Sequence, residues 1–342
     1  MHMADALLSP AVGGGMWAVS AGLIWYSSRK VKDDLDDNKV PLMGVLGAFV
    51  FAAQMINFTI PGTGSSGHLG GGLLLAVLLG PHAAFITLSS ILTIQAFFFA
   101  DGGLLALGSN IFNLGFYPCF LAYPLIYKAI TRIKETRLFI TIGALVAAIV
   151  GLQLGSFSVV LQTVFSGISE LPFDVFIFMM QPIHLAIGLV EGLATAVVVI
   201  FIIKARPDLF KDKDPEKTSK RFDSKKLVAA IAVSAIVVSV SVSWFASTHP
   251  DGLEWAIMKT SGIEEIEAPE EGVHRSLENF QKSFAQFPDY QPANNDLLEH
   301  QESETWPAVD SGTSIAGFVG SLLTLVTMVV LGLLMKRNRQ NR

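Results

Sequence analysis

The chain has 342 residues, of which 51% are hydrophobic and only 15% charged, and its mean hydropathy is +0.51. Those values exclude an ordinary soluble globular domain and indicate a polytopic membrane protein. The formal net charge of −5 is unevenly placed: acidic residues gather between Asp251 and Asp310, and basic residues gather in three short loops without the aromatic interleaving of a nucleic-acid groove.

In chain order, the opening Met1-His2 presents three nitrogens in succession. They are the α-amine, the His2 amide nitrogen and the His2 imidazole. Amine and amide close a five-membered chelate ring on a metal, and amide and imidazole Nδ1 close a six-membered one. A fourth nitrogen from a distant histidine, His68, would complete a flat set that suits Ni(II) or Cu(II), and also Co(II); the alternative is that Met1-His2 is an accident of a frayed terminus. No basic n-region or small-residue cleavage site marks the start as a signal peptide, and the bulky second residue predicts that Met1 is retained.

Leu7 to Ser28 is the first apolar stretch. Its Gly14, Ala18 and Gly22 share one helix face, a pattern either of close helix packing or of a generic glycine-rich membrane helix. Arg29, Lys30 and Lys32 follow in a polar loop, which places that loop inside and the N-terminus outside. Pro41 to Phe58 returns outward, carrying Gln54 and Asn57. The Gly- and Ser-rich loop from Thr59 to His68 then lies on the same side as Met1. Leu69 to Ala100 is broken at Gly80-Pro81. It is predicted to be a hairpin or re-entrant pair, because a single span would put the next basic loop outside. His82 at that turn is expected to satisfy freed backbone groups.

Leu104 to Ile130, with Ser109, Asn110 and Asn113, is predicted to span inward, Phe139 to Phe165 outward and Phe173 to Ile203 inward. On the last, His184 and Glu191 lie seven apart on one face. They are either a mutually satisfied pair or a transport element. Residues 206–226 form a lysine-rich linker. Leu227 to Phe245 and Ile315 to Leu334 are two further spans enclosing an acidic outer loop, 247–311, and a basic tail from Lys336 stops the last span inside. The division is thus 1–205, the linker, and 227–342. Cys119 is the only cysteine, which rules out an intrachain disulfide and a thiolate cluster. No G-x-x-x-x-G-K-(S/T) loop, H-E-x-x-H helix or G-x-S-x-G elbow is present. An enzyme is not expected, nor an organic cofactor, nor a nucleic-acid partner.

Four blocks in one order carry a resemblance. They are Met1-His2-Met3-Ala4-Asp5, the run from Val40 to Phe58 (VPLMGVLGAFVFAAQMINF), Ser66-Gly67-His68-Leu69-Gly70-Gly71, and the run from Asp101 to Asn110 (DGGLLALGSN). Together they resemble the CbiM/NikM family, the substrate-binding membrane subunits (S-components) of energy-coupling-factor importers for nickel and cobalt. The C-terminal part, through Pro250-Asp251-Gly252-Leu253-Glu254, is similar to the small CbiN/NikN-type partner of those systems. The chain departs from the family's frequent glycine at Ala6.

The resemblance implies an all-α polytopic membrane protein: a seven-segment S-component bundle plus a C-terminal two-span hairpin with an extracytoplasmic loop. It implies Ni2+ or Co2+ as transported substrate, held by Met1, His2 and His68. It implies a T-component and cytoplasmic ATPases as partners in the cytoplasmic membrane of a bacterium or archaeon. Gln54, Asn57 and Asn110 are the candidates for support around the ligands. The alternative is an ion-coupled secondary metal transporter using His184 and Glu191 as a proton relay.

Overall fold

The structure is a computed structural model that describes residues 2–34, 39–134, 136–205, 224–263, 266, 268–269, 271–292, 307 and 309–340. Met1 and most of the linker, 206–223, therefore lie outside the described residues. The fold is helical apart from one small antiparallel ribbon, β1 (Phe58–Ile60) with β2 (Ser65–Gly67). The helices in order are α1 (Pro10–Asp34), α2 (Lys39–Gln54), α3 (Gly72–Leu79) and α4 (Pro81–Phe99). A continuous helical run follows, made of α5 (Leu107–Ile111), a π-helical segment (Phe112–Tyr127) and α6 (Lys128–Ile133). Next come α7 (Arg137–Ser166), α8 (Phe173–Ala205), α9 (Ser224–Val240), α10 (Gly252–Ser261), α11 (Val273–Phe284) and α12 (Ser311–Gln340).

Four of these are long and apolar enough to cross a membrane among the described residues: Pro81–Phe99, Arg137–Ser166, Phe173–Lys204 and Ser311–Arg337. The break at Gly80-Pro81 separates α3 from α4. Gly80 sits at φ 81°, a conformation that suits glycine, and Pro81 opens the next helix. At eight residues, α3 reaches about 12 Å, well short of a roughly 30 Å hydrocarbon core. It is buried by its neighbours along almost its whole length. His82 packs its ring on Tyr26 and Phe120, with Nδ1 3.4 Å from Ser27 Oγ.

Of the two readings of the α1 glycine face, the structure fits the generic glycine-rich helix and not close packing within the chain. Gly14 and Gly22 have open space where a side chain would project. The stripe therefore faces away from the chain, and α1 packs instead through Gly13 onto Leu105. The C-terminal helices α9 and α12 pack on α2. Close approach is set by small residues: Gly44 and Gly47 of α2 face Leu325 and Thr324, and Gly320 of α12 seats the Phe51 ring.

The described residues between α9 and α12 fold over the rest. Asp251 caps α10 by accepting from Leu253 N (2.7 Å) and Glu254 N (2.9 Å), while Glu254 Oε2 accepts from Asp251 N (2.8 Å). This capping box gives Pro250-Asp251-Gly252-Leu253-Glu254 a local physical reason. The segment is then tied to the ribbon. Ser66 N donates to Pro250 O (2.8 Å), Ser66 Oγ to His249 O (2.7 Å) and Trp255 Nε1 to Thr63 O (3.0 Å). On the other side, Gln281 Nε2 donates to Ala96 O and Gly102 O, both at 2.8 Å. Phe99 stacks on Tyr290 at 5.0 Å and on Phe287 at 5.9 Å between ring centres.

Asp310 caps α12. Its carboxylate accepts from Thr313 N (2.8 Å), Thr313 Oγ1 (2.6 Å), Gln291 Nε2 (2.6 Å) and Gly312 N (3.1 Å). Burial would raise its pKa, but these donors outweigh it and hold the group down at about 2. The stabilisation is therefore complete above the ordinary carboxylate value, roughly 4, and fades as pH falls from there toward about 2. Asp310→Ala is expected to cost about 1 kcal/mol at neutral pH. Thermal unfolding of the two full chains checks this: their difference must shrink on acidification.

Candidate metal centre

The chain's opening is threaded into the core rather than lying on the surface. Met3 is fully buried. Its N–H donates to Asn110 Oδ1 (2.8 Å), and its C=O accepts from Asn110 Nδ2 (3.2 Å) and Gly103 N (3.0 Å). Asn113 Nδ2 lies 3.6 Å from Met3 Sδ. Two residues on, Asp5 Oδ1 accepts from Ala106 N at 2.9 Å, and Leu8 O is bonded by His274 Nε2 at 2.8 Å. The tight turn at Gly102 makes the threading possible. Its φ is 81°, and a Cβ there would lie 2.8 Å from Asn110 Nδ2 and 3.4 Å from His2 Cβ.

His2 is thereby set against His68. The two rings stack with centres 5.0 Å apart and 20° between planes. His68 follows β2 and is buried, with Nδ1 3.2 Å from Leu69 O. Burial, and then repulsion from neighbouring positive groups including His2, lowers its pKa to about 3, so the imidazole is neutral at physiological pH and able to donate a lone pair. The loop behind it is fixed by two elements: Glu191 on α8 accepts from Gly70 N (2.8 Å) and Gly71 N (3.2 Å), and Gln54 on α2 donates to Gly70 O (2.8 Å).

His2 Nδ1 lies 2.7 Å from Asp101 Oδ1. The nitrogen that closes a chelate ring with the His2 amide is thus occupied by a carboxylate in this state. A hydrogen-bonded circuit continues from there. Tyr290 donates to Asp101 Oδ2 (2.5 Å), Gln95 Nε2 lies 3.3 Å from Tyr290 Oη and donates to Gln54 Oε1 (3.0 Å), and Gln54 closes on the loop of His68. Burial would raise the Asp101 pKa, but the charge and hydrogen bond of His2, with the Tyr290 hydroxyl, hold it at about 2. Both imidazoles open onto a cleft of about 1020 Å³ bordered also by Asp101, Asp251, Glu254, His274 and Tyr290. Its carboxylates give it the potential of a cation-attracting vestibule.

The structure brings together His2, His68, Gln54 and Asn110. Asn57 borders the same cleft, and its carbonyl accepts from Ser247 N at 2.7 Å. His184 and Glu191 do not pair with each other. Glu191 serves Gly70 and Gly71, and His184 Nδ1 bonds Met180 O at 2.7 Å. Sequence reasoning missed Asp101, Tyr290 and Gln95. Asp101 was the accessible one, a lone acid between an apolar helix and Gly102-Gly103.

The apolar helices and the buried polar centre define the class, a helical membrane protein. Residues 2–209 match the CbiM family, described as the cobalt uptake substrate-specific transmembrane region, and residues 225–337 match the PDGLE domain. The chain belongs to the CbiM family and is a nickel/cobalt transport membrane protein. A chain of Archaeoglobus fulgidus provisionally designated a fused nickel transport protein, NikMN, is 30% identical over 95% of this chain and 96% of its own length. The fused nickel transport protein NikMN of Rhodobacter capsulatus is 33% identical over 61% of this chain and 63% of its own. The crystal structure of a transition metal transporter superposes with a TM-score of 0.54 at 32% identity, covering 61% of this chain and 95% of that one.

Proposed function

We propose that the chain is the substrate-capturing membrane subunit of an energy-coupling-factor importer for Ni2+ or Co2+. The ion is held by the Met1 amine, the His2 amide nitrogen and imidazole, and His68. The reading rests chiefly on one observation: residue 2 is carried into the core and stacked on a buried, neutral His68. Among the described residues no three His, Cys, Asp or Glu side chains are grouped to hold an ion. Two imidazoles then need backbone and terminal nitrogens to complete a coordination sphere, and a flat nitrogen set disfavours tetrahedral Zn2+ and oxygen-seeking Mg2+.

In this reading residues 1–205 form a seven-segment S-component, and 227–342 form a two-span unit whose outer helices α10 and α11 lie over the site. The N-terminus is outside and the C-terminus inside. Capture requires His2 Nδ1 to leave Asp101. Energy comes from a membrane T-component and cytoplasmic ATPases. The ion-coupled reading loses support from the geometry, since Glu191 is committed to two loop amides. The test is metal uptake by cells expressing this chain with and without those ATPases. Uptake is expected to fall to background without them; persistence would favour a secondary transporter.

A further inference from the structure

A second, small cavity adjoins His68 on the side of α8. Its volume is about 10 Å³, and His68, His184, Asp251 and Gly252 form part of its wall. That is close to the room one water molecule, or one bare cation, requires. His184 is 1% exposed, and its Nε2 has no hydrogen-bond partner among the described residues. A buried acceptor left unmatched is costly, and the rest of α8 avoids that cost. Gln181 bonds Ser156 Oγ at 3.0 Å, and Glu191 bonds Gly70 N and Gly71 N.

The tautomer of His184 follows from its other nitrogen. Nδ1 lies 2.7 Å from Met180 O, so Nδ1 carries the proton and Nε2 holds a lone pair. A backbone carbonyl fixing one ring nitrogen while the other is left as a donor is the arrangement of a metal-ligating histidine. Gly252, the residue after the capping Asp251, completes the wall. Its position would put a Cβ 2.6 Å from Ile183 Cγ2 and 3.5 Å from His184 Cε1, so only glycine lets the outer segment close against α8.

We propose that His184 is a second cation-binding position, a relay ligand one cavity inward of His68 that receives Ni2+ or Co2+ from it, with Asp251 on the shared wall. Glu191 is not part of this position, because both its oxygens are engaged. The proposal rests on the reading that His68 is a ligand of the capture site.

The test titrates the purified full chain with Cu2+ as the probe, followed by electron paramagnetic resonance. The wild-type chain is expected to take a tight first equivalent and a weaker second one showing imidazole nitrogen coupling. H184L is expected to lose the second and keep the first within about twofold. H184Q, which retains an amide donor for Met180 O, is expected to behave the same and serves if H184L does not fold. A chain with one residue added before Met1 is expected to lose the first step and keep the second, which separates failure of the capture site from failure of the relay. A single equivalent in the wild type, retention of the second in either His184 variant, or loss of both steps in folded H184Q overturns the proposal.

Discussion

Adding one residue ahead of Met1 is expected to weaken Ni2+ and Co2+ binding by about a thousandfold or more, roughly 4 kcal/mol. The extension converts the terminal amine into an amide and displaces His2 from the second position, so both chelate rings are lost together. The chain cannot recover by sliding. Asn110 clasps both the N–H and the C=O of Met3, Gly103 N bonds the same carbonyl, and Ala106 N holds Asp5. These contacts fix the register of residues 3 to 5, so an added residue must be accommodated at the metal end. Titration of the purified chain, followed by calorimetry and by the visible band of a planar nickel site, measures the effect. An affinity that survives the extension would remove the chain end from the coordination sphere.

Much of the helical architecture is legible because apolar runs of membrane length have few other solutions. The interruption at Gly80-Pro81 is legible for the same reason, since a proline after a glycine has a fixed local geometry. The π-helical stretch from Phe112 to Tyr127 is not legible, because the run is apolar on almost every side and shows no amphipathic period from which its pitch could be read. Nor is the outward orientation of the Gly14–Gly22 face of α1. Small residues report that close approach is possible, not which neighbour makes it.

The candidate site divides in a similar way. His2 can be matched with His68 only by adding to the chelating chemistry of Met1-His2 the placement of both on the outer side and the family resemblance, and the structure sets their rings 5.0 Å apart. The circuit that holds them is not legible in the sequence. Tyr290 and Asp101 are 189 residues apart, and Glu191 and Gly70 are 121 apart. Those pairings depend on how the outer segment folds back and on where α8 meets the loop. His184 and Glu191 show the limit of spacing arguments. A separation of seven puts them on one face, yet each finds a backbone partner of its own.

Asn110→Leu is expected to lower Ni2+ affinity ten- to a hundredfold, the usual effect of removing a group that orients a ligand. The volume is nearly conserved, so the change acts through hydrogen bonding. Met3 N–H loses its acceptor and is left buried, at a cost of about 1–3 kcal/mol. Met3 O keeps Gly103 N. The opening residues are then held on one side only, and His2 no longer has a fixed approach to His68. A general loss of stability could imitate this, so Asn113→Leu provides the contrast. Asn113 bonds Gln162 through two contacts, at 3.0 and 2.9 Å, and touches only the sulfur of Met3. Its replacement should lower thermal stability by a comparable amount while leaving metal affinity within about twofold. Equal losses of affinity in the two variants would mean that Asn110 acts through the fold at large and not through the chain end it clasps.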